Sequence, residues 1–238
     1  MTKKIKLHPV DTAIFVMVVL LLSVGTYSRN RIWDDEINLW TDCVNKSPHK
    51  ARPYLNLGVG YFDIGAYDKS FEVTQKAIQL DPKNGEAYYN LGLDYQKMGN
   101  LKEAIAMEKK SLELDPTLDM AYYSLGGIYL ESGQYEEAEE AFQRFLKIYP
   151  YAPEVHTLLA VVYGGQKKFD KAVTELEWEI RINPNYTLAH LNLGQIYWYE
   201  FQNRQKALFH LKRALLLDPV IPNRAEILRL VRLLEGFP

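Results

Sequence analysis

The sequence contains one cysteine, Cys43, in 238 residues. A single thiol excludes an internal disulfide framework and any zinc site built from several cysteines. The sequence also lacks a run of five basic residues, and 28 Lys and Arg against 30 Asp and Glu leave a net charge of −2. Because a nucleic-acid-binding surface needs a concentrated basic patch, no nucleic-acid partner is expected. Apolar residues make up 47% of the chain, which is enough for a packed core and argues against disorder.

A run of 15 uncharged, mainly apolar residues extends from Ala13 to Tyr27, after a short segment with three lysines. As a helix this run would span about 22 Å, against a hydrocarbon core of about 30 Å, and extension to residues 10–28 would nearly close the gap. No Ala-x-Ala cleavage site follows it. We therefore expect a transmembrane signal anchor over residues 9–28, after a basic segment over residues 1–8. A cleaved signal peptide and a buried soluble helix are the alternatives.

The charges that flank this run predict its orientation. Lys3, Lys4 and Lys6 precede it, whereas Arg29 and Arg31 follow it and are themselves followed by three acidic residues. Cytoplasmic flanks of membrane helices carry an excess of Lys and Arg. The bias is slight and favours a single-pass protein whose N-terminus is cytoplasmic and whose remaining residues are extracytoplasmic, in a periplasm or a lumen.

The rest of the sequence repeats with a period of 34 residues. Prolines recur at spacings of 34, 34, 34 and 35, and Leu-Gly or Leu-Ala pairs recur at a constant spacing of 34. An aromatic residue or histidine precedes each pair, and a tyrosine follows it. The prolines are Pro82, Pro116, Pro150, Pro184 and Pro219, and the small residues are Gly58, Gly92, Gly126, Ala160 and Gly194. A constant period of this length indicates stacked copies of one supersecondary unit.

This pattern resembles the tetratricopeptide repeat (TPR), a helix–turn–helix unit of 34 residues. The resemblance implies an all-α fold, a right-handed α-solenoid of TPR helix pairs, which would follow the one N-terminal transmembrane helix expected from the apolar run. Residues 29–50 would hold a linker and the second helix of a half-repeat, and residues 221–238 a C-terminal capping helix with Asn223 as its cap. The five repeats would be 51–84, 85–118, 119–152, 153–186 and 187–220.

Small residues predict how the helices meet and turn. A Gly or Ala at the eighth position of each repeat would let two helices cross closely. Gly65, Gly99 and Gly133 mark the turn between the helices of the first three repeats, where a helix C-terminus needs a positive φ. The fourth repeat has Lys168 near this place, and the fifth has one extra residue, so we expect its turn to differ in shape.

The segment from Arg31 through Trp40 to Gly58 also resembles the junction between membrane helix and TPR tail in multi-pass, lipid-linked-sugar glycosyltransferase-like membrane proteins. In those proteins the TPR tail is extracytoplasmic, so the resemblance implies the same topology here. The sequence has a single apolar run and no catalytic membrane domain. An accessory part of a glycosyltransferase-type membrane enzyme is therefore the alternative function.

No set of residues in the sequence points to catalysis, a cofactor or a metal. His156 and His190 occupy the same position in successive repeats, about one helix diameter apart, which favours core packing over a shared metal. The carboxylate clamp of chaperone-binding TPR domains requires lysine at position 5, where this sequence has Leu55, Tyr89, Tyr123, Thr157 and Leu191. We expect no enzyme activity, no cofactor and no small-molecule substrate.

The first helix of each repeat supplies the predicted binding surface. In the TPR family, positions 2, 5, 6, 9, 12 and 13 of these helices line the concave groove. Asparagines at position 6 resemble the ladder of O-linked N-acetylglucosamine transferase, whose amides hold a peptide backbone, although Ser124 and Leu158 interrupt it here. The resemblance implies a groove for an extended peptide or a helix, lined by Asn56, Phe62, Tyr89, Asn90, Tyr123, Asn192, Trp198 and Tyr199. The alternative is that these are consensus residues that contact no ligand.

The last predicted helix, over residues 224–234, has an apolar arc about 220° wide on a helical wheel. A cap that buries one face needs an arc of only about 100°. We therefore expect Leu228 and Leu233, at the two edges of the arc, to pack on another subunit or a second copy, unless the last three residues cover them. The sequence as a whole predicts a membrane-anchored, non-catalytic TPR scaffold that binds a peptide, a helix or a subunit of a membrane or envelope assembly.

Overall fold

The computed structural model describes residues 35–236, and within this range the chain forms twelve α-helices and no β-strand. The all-α class expected from the sequence is thereby confirmed for the described residues, while the handedness of the solenoid stays a prediction. The helices are α1 (Glu36–Lys46), α2 (Ala51–Asp63), α3 (Tyr67–Leu80), α4 (Gly85–Lys97), α5 (Leu101–Leu114), α6 (Asp119–Glu131), α7 (Tyr135–Ile148), α8 (Val155–Gly165), α9 (Phe169–Ile182), α10 (Thr187–Tyr199), α11 (Arg204–Leu217) and α12 (Arg224–Glu235).

The chain divides into two compact units, residues 1–98 and residues 99–238. The described part of the first unit contains α1 to α4, each packed against the next, around a small core of Leu55, Ala77 and Ala87. The second unit contains α5 to α12, again packed in sequence order, and its larger core includes the fully buried Phe142. The division falls between α4 and α5, inside the predicted repeat over residues 85–118.

Proline ends the second helix of each repeat. The helix stops two residues before the proline, as at Leu80 before Pro82, because proline has no N–H and disfavours helix in the residue before it. In four of these five turns the Asp or Asn before the proline closes the turn by accepting a hydrogen bond from the backbone N–H two residues later. These residues are Asp81, Asp115, Asn183 and Asp218, and the third turn has Tyr149 instead.

The turns inside the repeats have the left-handed residue that the glycines predict. The φ angles are 75° at Gly65, 79° at Gly99 and 71° at Gly133, which confirms these three positions. In the fourth turn the left-handed residue is Lys167, at φ 59°, and not the Lys168 suggested by the sequence, because Lys168 is already the residue that precedes α9. In the fifth, four residues rather than three separate α10 from α11, so the expected change of shape is confirmed.

The eighth position of the repeat lies where two helices cross closely. A Cβ added at Gly126 would lie 2.6 Å from the Phe142 ring, and one added at Gly194 would lie 2.7 Å from Leu211 Cγ. At Gly58 the nearest atom would be Thr74 Oγ1, at 2.5 Å. These separations are too short for any side chain, so the predicted reason for a small residue is confirmed at these three positions.

The predicted basic segment and signal anchor, residues 1–8 and 9–28, lie outside the described residues. Between residues 35 and 236, no helix is both long enough and apolar enough to cross a membrane. The half-repeat helix expected before Pro48 is α1, whose first turn is capped by the Asp35 carboxylate, which accepts hydrogen bonds from the N–H groups of Ile37 and Asn38.

The C-terminal helix α12 begins at the expected residue, but Asn223 does not cap it. Asn223 has φ 58°, and its side chain makes no capping hydrogen bond, because an N-cap oxygen reaches the first turn from an extended backbone and not from a left-handed one. Contacts with α11 hold the helix instead. Lys212 Nζ lies 2.6 Å from a carboxylate oxygen of Glu235, and the Arg204 guanidinium donates a hydrogen bond to the Leu234 carbonyl.

Candidate protein-binding site

In the first unit, the predicted groove residues lie on α2 and α4 and are all half-buried. The Phe62 ring packs edge-on against Tyr67, with ring centroids 5.3 Å apart. Nδ2 of Asn90 is buried and has no hydrogen-bond partner within residues 35–236. Asn56 and Tyr89 keep part of their surface accessible. The Asn90 amide therefore does not project freely into solvent, unlike a rung of an open asparagine ladder.

In the second unit, the structure separates the predicted residues by exposure. The Tyr123 ring packs against Phe145, with centroids 5.4 Å apart, and so belongs partly to the core. Asn192 and Trp198 are half-buried. Tyr199 is 63% exposed. Of the four predicted residues in this unit, Tyr199 thus offers the largest accessible surface.

One interruption of the asparagine ladder has a structural reason. Ser124 is buried, and its hydroxyl donates a 2.5 Å hydrogen bond to Oε1 of Glu108 on α5. Burial raises the pKa of Glu108 to about 8, although the bond from Ser124 acts in the opposite direction. Glu108 is therefore protonated at neutral pH, and Ser124 is occupied with it instead of facing a ligand.

Tyr199 belongs to a cavity of about 130 Å³ between α10 and α12. Leu191, Gln195 and Tyr199 line it from α10, and their four-residue spacing places them on one face of that helix. Ile227 and Glu226 line it from α12. The cavity thus combines apolar walls with an amide, a carboxylate and a phenol hydroxyl. Such a set can receive an apolar side chain while it hydrogen-bonds the backbone beside it.

Gln195 and Glu226 are not among the residues predicted for the groove. Gln195 could have been found from the sequence, because position 9 is a groove position of the family and the residue follows Leu191 by four. Glu226 could not, since its place in the cavity depends on how α12 folds back toward α10.

The two leucines predicted for a C-terminal interface differ in exposure. Leu228 is half-buried, whereas Leu233 is 61% exposed. Ile227, Val231 and Leu234 form the buried side of α12. Packing of both leucines on another subunit or a second copy stays a prediction.

The predicted core role of His156 and His190 is confirmed, since both are buried. Nε2 of each ring hydrogen-bonds the carbonyl of the proline six residues earlier, at 3.1 Å. The Tyr54 hydroxyl makes the same contact with Pro48, at 3.3 Å. At these three positions a ring that ends in a hydrogen-bond donor reaches the proline carbonyl, which explains why either tyrosine or histidine suits this place in the repeat.

The surroundings of the two histidines shift their pKa values in opposite directions. Burial lowers the pKa of His156, but the hydrogen bonds to the Glu175 carboxylate, at 2.7 Å, and to the Pro150 carbonyl outweigh it and raise the pKa above its usual value. Burial lowers the pKa of His190, whose Nδ1 lies 3.0 Å from Nδ1 of His210. Burial and the nearby His190 lower the pKa of His210 to about 4. His190 is therefore neutral, and because its Nε2 donates a hydrogen bond to the Pro184 carbonyl, its Nδ1 accepts one from Nδ1–H of His210.

No cluster of three or more metal-ligating side chains occurs among the residues that the structure describes. The polar side chains that line the cavity between α10 and α12 are amides, a phenol hydroxyl and a single carboxylate.

Comparison with known families agrees with this helix-pair architecture. Sequence models described as "TPR repeat" and "Tetratricopeptide repeat" match residues 58–99, and residues 95–162 and 129–178, respectively. Together these matches cover about half of the chain. The chain belongs to the tetratricopeptide repeat family. No curated protein matches it.

Several solved TPR structures are similar to this TPR protein. YrrB, described as a TPR protein with an unusual peptide-binding site, is 24% identical with a TM-score of 0.69, over 80% of this chain and 96% of YrrB. MamA of Desulfovibrio magneticus RS-1 is 20% identical with a TM-score of 0.66, over 70% and 94% of the two chains. PilF of Pseudomonas aeruginosa is 23% identical with a TM-score of 0.67, over 78% and 83%. At these identities the likeness shows the fold.

Membership of this family defines a broad class of function. TPR proteins act as protein-interaction scaffolds, and the fold is typically non-catalytic. The predicted class of function, a scaffold for protein–protein interaction, is confirmed at this level. The glycosyltransferase alternative draws no support from the similar structures reported above.

Proposed function

We propose that this protein is a non-catalytic, membrane-anchored scaffold that holds a segment of a protein partner against α10 and α12. The observation that carries the proposal is the cavity between these helices, with Leu191, Gln195 and the exposed Tyr199 on one wall. The partner segment is a peptide or a helix that places one apolar side chain in the cavity.

The chemistry of the wall supports this choice of ligand. The Gln195 amide offers both a donor and an acceptor, which match the carbonyl and N–H of a peptide backbone. The Tyr199 ring supplies rigid contact area at a small cost in side-chain entropy, and aromatic residues of this kind dominate the binding energy of protein interfaces. The peptide-binding site in the description of YrrB is consistent with the proposal.

The proposed anchor rests on the sequence. The uncharged run from Ala13 to Tyr27 would hold the protein in a membrane, and the flanking lysines favour a cytoplasmic N-terminus. The repeats would then meet their partner on the extracytoplasmic side. This arrangement suits a subunit of a membrane or envelope assembly.

Replacement of Gln195 and Tyr199 by alanine tests the proposal. The double variant loses one hydrogen bond, worth about 0.5–1.5 kcal/mol, and part of an aromatic contact, worth about 1.5 kcal/mol. We expect Kd for the partner, isolated by affinity purification in mild detergent, to rise at least about tenfold. Thermal stability should barely change, because Gln195 and Tyr199 are exposed in the free protein.

Phe209 on α11 is the matched control, because its exposed fraction is 63%, equal to that of Tyr199, and it does not line the cavity. Phe209→Ala should bind the partner as the wild type does. Unchanged affinity in the double variant, or an equal loss in the control, would show that the partner does not occupy this cavity.

A further inference from the structure

A second apolar cavity, of about 520 Å³, opens beside the turn between α7 and α8. Its eight lining residues carry no charge, and Ile148, Tyr149 and Tyr151 are among them. Met120 lines it from the start of α6, and all four of these side chains are exposed. None of the residues predicted for the groove lines this cavity, so it is distinct from the proposed site at α10 and α12.

Comparison of the repeats shows that the fold does not require aromatic residues here. The position of Tyr149 is occupied in the other four repeats by Asp81, Asp115, Asn183 and Asp218, whose side chains close the turn with hydrogen bonds of 3.2, 3.0, 3.4 and 2.8 Å. Tyr149 has no such acceptor. Its hydroxyl instead donates a 2.7 Å hydrogen bond to Asp119, which fixes the ring at the rim of the cavity.

Two further positions depart from the pattern in the same place. Where the third repeat has Tyr151, the other four repeats have Lys83, Thr117, Asn185 and Val220. Where the fourth repeat has Trp178, the other four repeats have Lys76, Lys110, Arg144 and Arg213. Tyr151 is 69% exposed and stacks on Trp178, with centroids 6.5 Å apart and planes at 16°. Three aromatic residues thus lie at neighbouring points of the surface, where the other repeats have polar side chains at every equivalent position except Val220.

We infer that this cavity is a second protein-binding site, and that it receives an uncharged segment of a partner protein with large apolar side chains. Because the lining residues carry no charge, an uncharged segment fits the cavity best. A charged side chain inserted among these lining residues would be desolvated without a partner, at a cost of several-fold or more in affinity. Two charged groups near the cavity are engaged, since Asp119 accepts a hydrogen bond from Tyr149 and the Arg181 guanidinium lies 5.7 Å from the centre of the Trp178 ring, which stacks on Tyr151.

The shape of the surface favours a protein over a lipid bilayer. Residues that enter a bilayer protrude, whereas Tyr149, Tyr151 and Met120 surround a hollow large enough for several side chains. Stacked tyrosine and tryptophan beside an arginine are also the residues that are enriched at the centres of protein interfaces.

The internal repeats supply the test variant. Tyr149→Asn, Tyr151→Asn and Trp178→Arg together introduce the residues found one repeat later, at Asn183, Asn185 and Arg213. The new asparagine at position 149 can close its turn as Asn183 does, so the variant should fold. Tyr151 is the most exposed of the three residues, so the single variant Tyr151→Asn should disturb folding least. This single variant tests the site if the triple variant does not fold.

The full chain, immobilised through its N-terminus, is used to select from a phage-displayed library of random dodecapeptides. We expect selected peptides that are uncharged and carry at least two large apolar residues. Synthetic copies should bind the triple variant at least tenfold more weakly than the wild type, and Tyr151→Asn at least threefold more weakly. The same peptides should bind the double variant Gln195→Ala, Tyr199→Ala with unchanged affinity. That result would distinguish this cavity from the proposed site at α10 and α12.

Three results would overturn the inference. The first is selected peptides that bind the wild type and the variants equally. The second is peptides that depend on charged residues. The third is binding of the wild type, but not of the variants, to vesicles of phosphatidylcholine and phosphatidylglycerol without any discriminating peptide, since the occupant would then be a membrane surface.

Discussion

Replacement of Glu108 by glutamine should remove a pH-dependent loss of stability of about 3 kcal/mol between pH 5 and pH 8. Burial raises the pKa of Glu108 to about 8 in the folded protein, against 4.5 for the free group. Between these values the folded state holds a proton that the unfolded state has released. The contribution of Glu108 to stability is therefore fully present below pH 4.5 and declines as the pH rises to about 8.

The measurement is the free energy of unfolding in urea at several pH values. Glu108→Gln keeps the acceptor for the Ser124 hydroxyl, so the variant should become more stable relative to the wild type as the pH rises. Glu103→Gln is the control, because Glu103 lies on the same helix and is exposed. A difference between wild type and Glu108→Gln that stays constant from pH 5 to pH 8 would show that Glu108 is not protonated in the folded protein.

Replacement of Gly126 by alanine should destabilise the protein by about 2 kcal/mol, whereas the same change at the adjacent Gly127 should stabilise it by about 0.5–1 kcal/mol. The added Cβ at Gly126 would lie 2.6 Å from the Phe142 ring, which is fully buried. At Gly127 an added Cβ meets no atom within 4 Å. The change in stability at Gly127 is then set by the higher helix propensity of alanine.

Chemical denaturation of the two single variants checks this pair of expectations. Both changes add one methyl group to α6 at consecutive positions, so composition and helix length are matched. A second pair, Gly194→Ala against Gly164→Ala, repeats the comparison. A Cβ added at Gly194 would lie 2.7 Å from Leu211 Cγ, whereas one added at Gly164 would meet no atom within 4 Å. Equal effects within each pair would contradict the close crossing of helices at the eighth position.

The sequence predicted the helix pairs well because their signals are local and repeated. A proline two residues beyond each second helix and a glycine in each of the first three turns act through the backbone of their own residues. The core role of His156 was likewise readable, since the same position holds tyrosine or histidine in each repeat. Repetition turns each of these weak signals into a reliable one.

Features that depend on two distant elements could not be read in this way. Glu108 occurs in a polar helix sequence, and only the contact with Ser124 from the next helix shows that it is buried. Asn223 has the residue type of a cap, but its backbone is left-handed and its side chain makes no capping hydrogen bond with α12. The α10–α12 cavity depends on the path of the chain after Pro219, for which the repeat pattern offers no guide.

Site-specific photocrosslinking tests the proposed protein-binding site most directly. p-Benzoylphenylalanine is placed at position 199 or at position 209, whose native residues have the same exposed fraction of 63%. The cells are then irradiated, and adducts of this protein are resolved by mass. The proposal predicts a discrete protein adduct from position 199 and none from position 209. No adduct from position 199, or the same adduct from both positions, would contradict it.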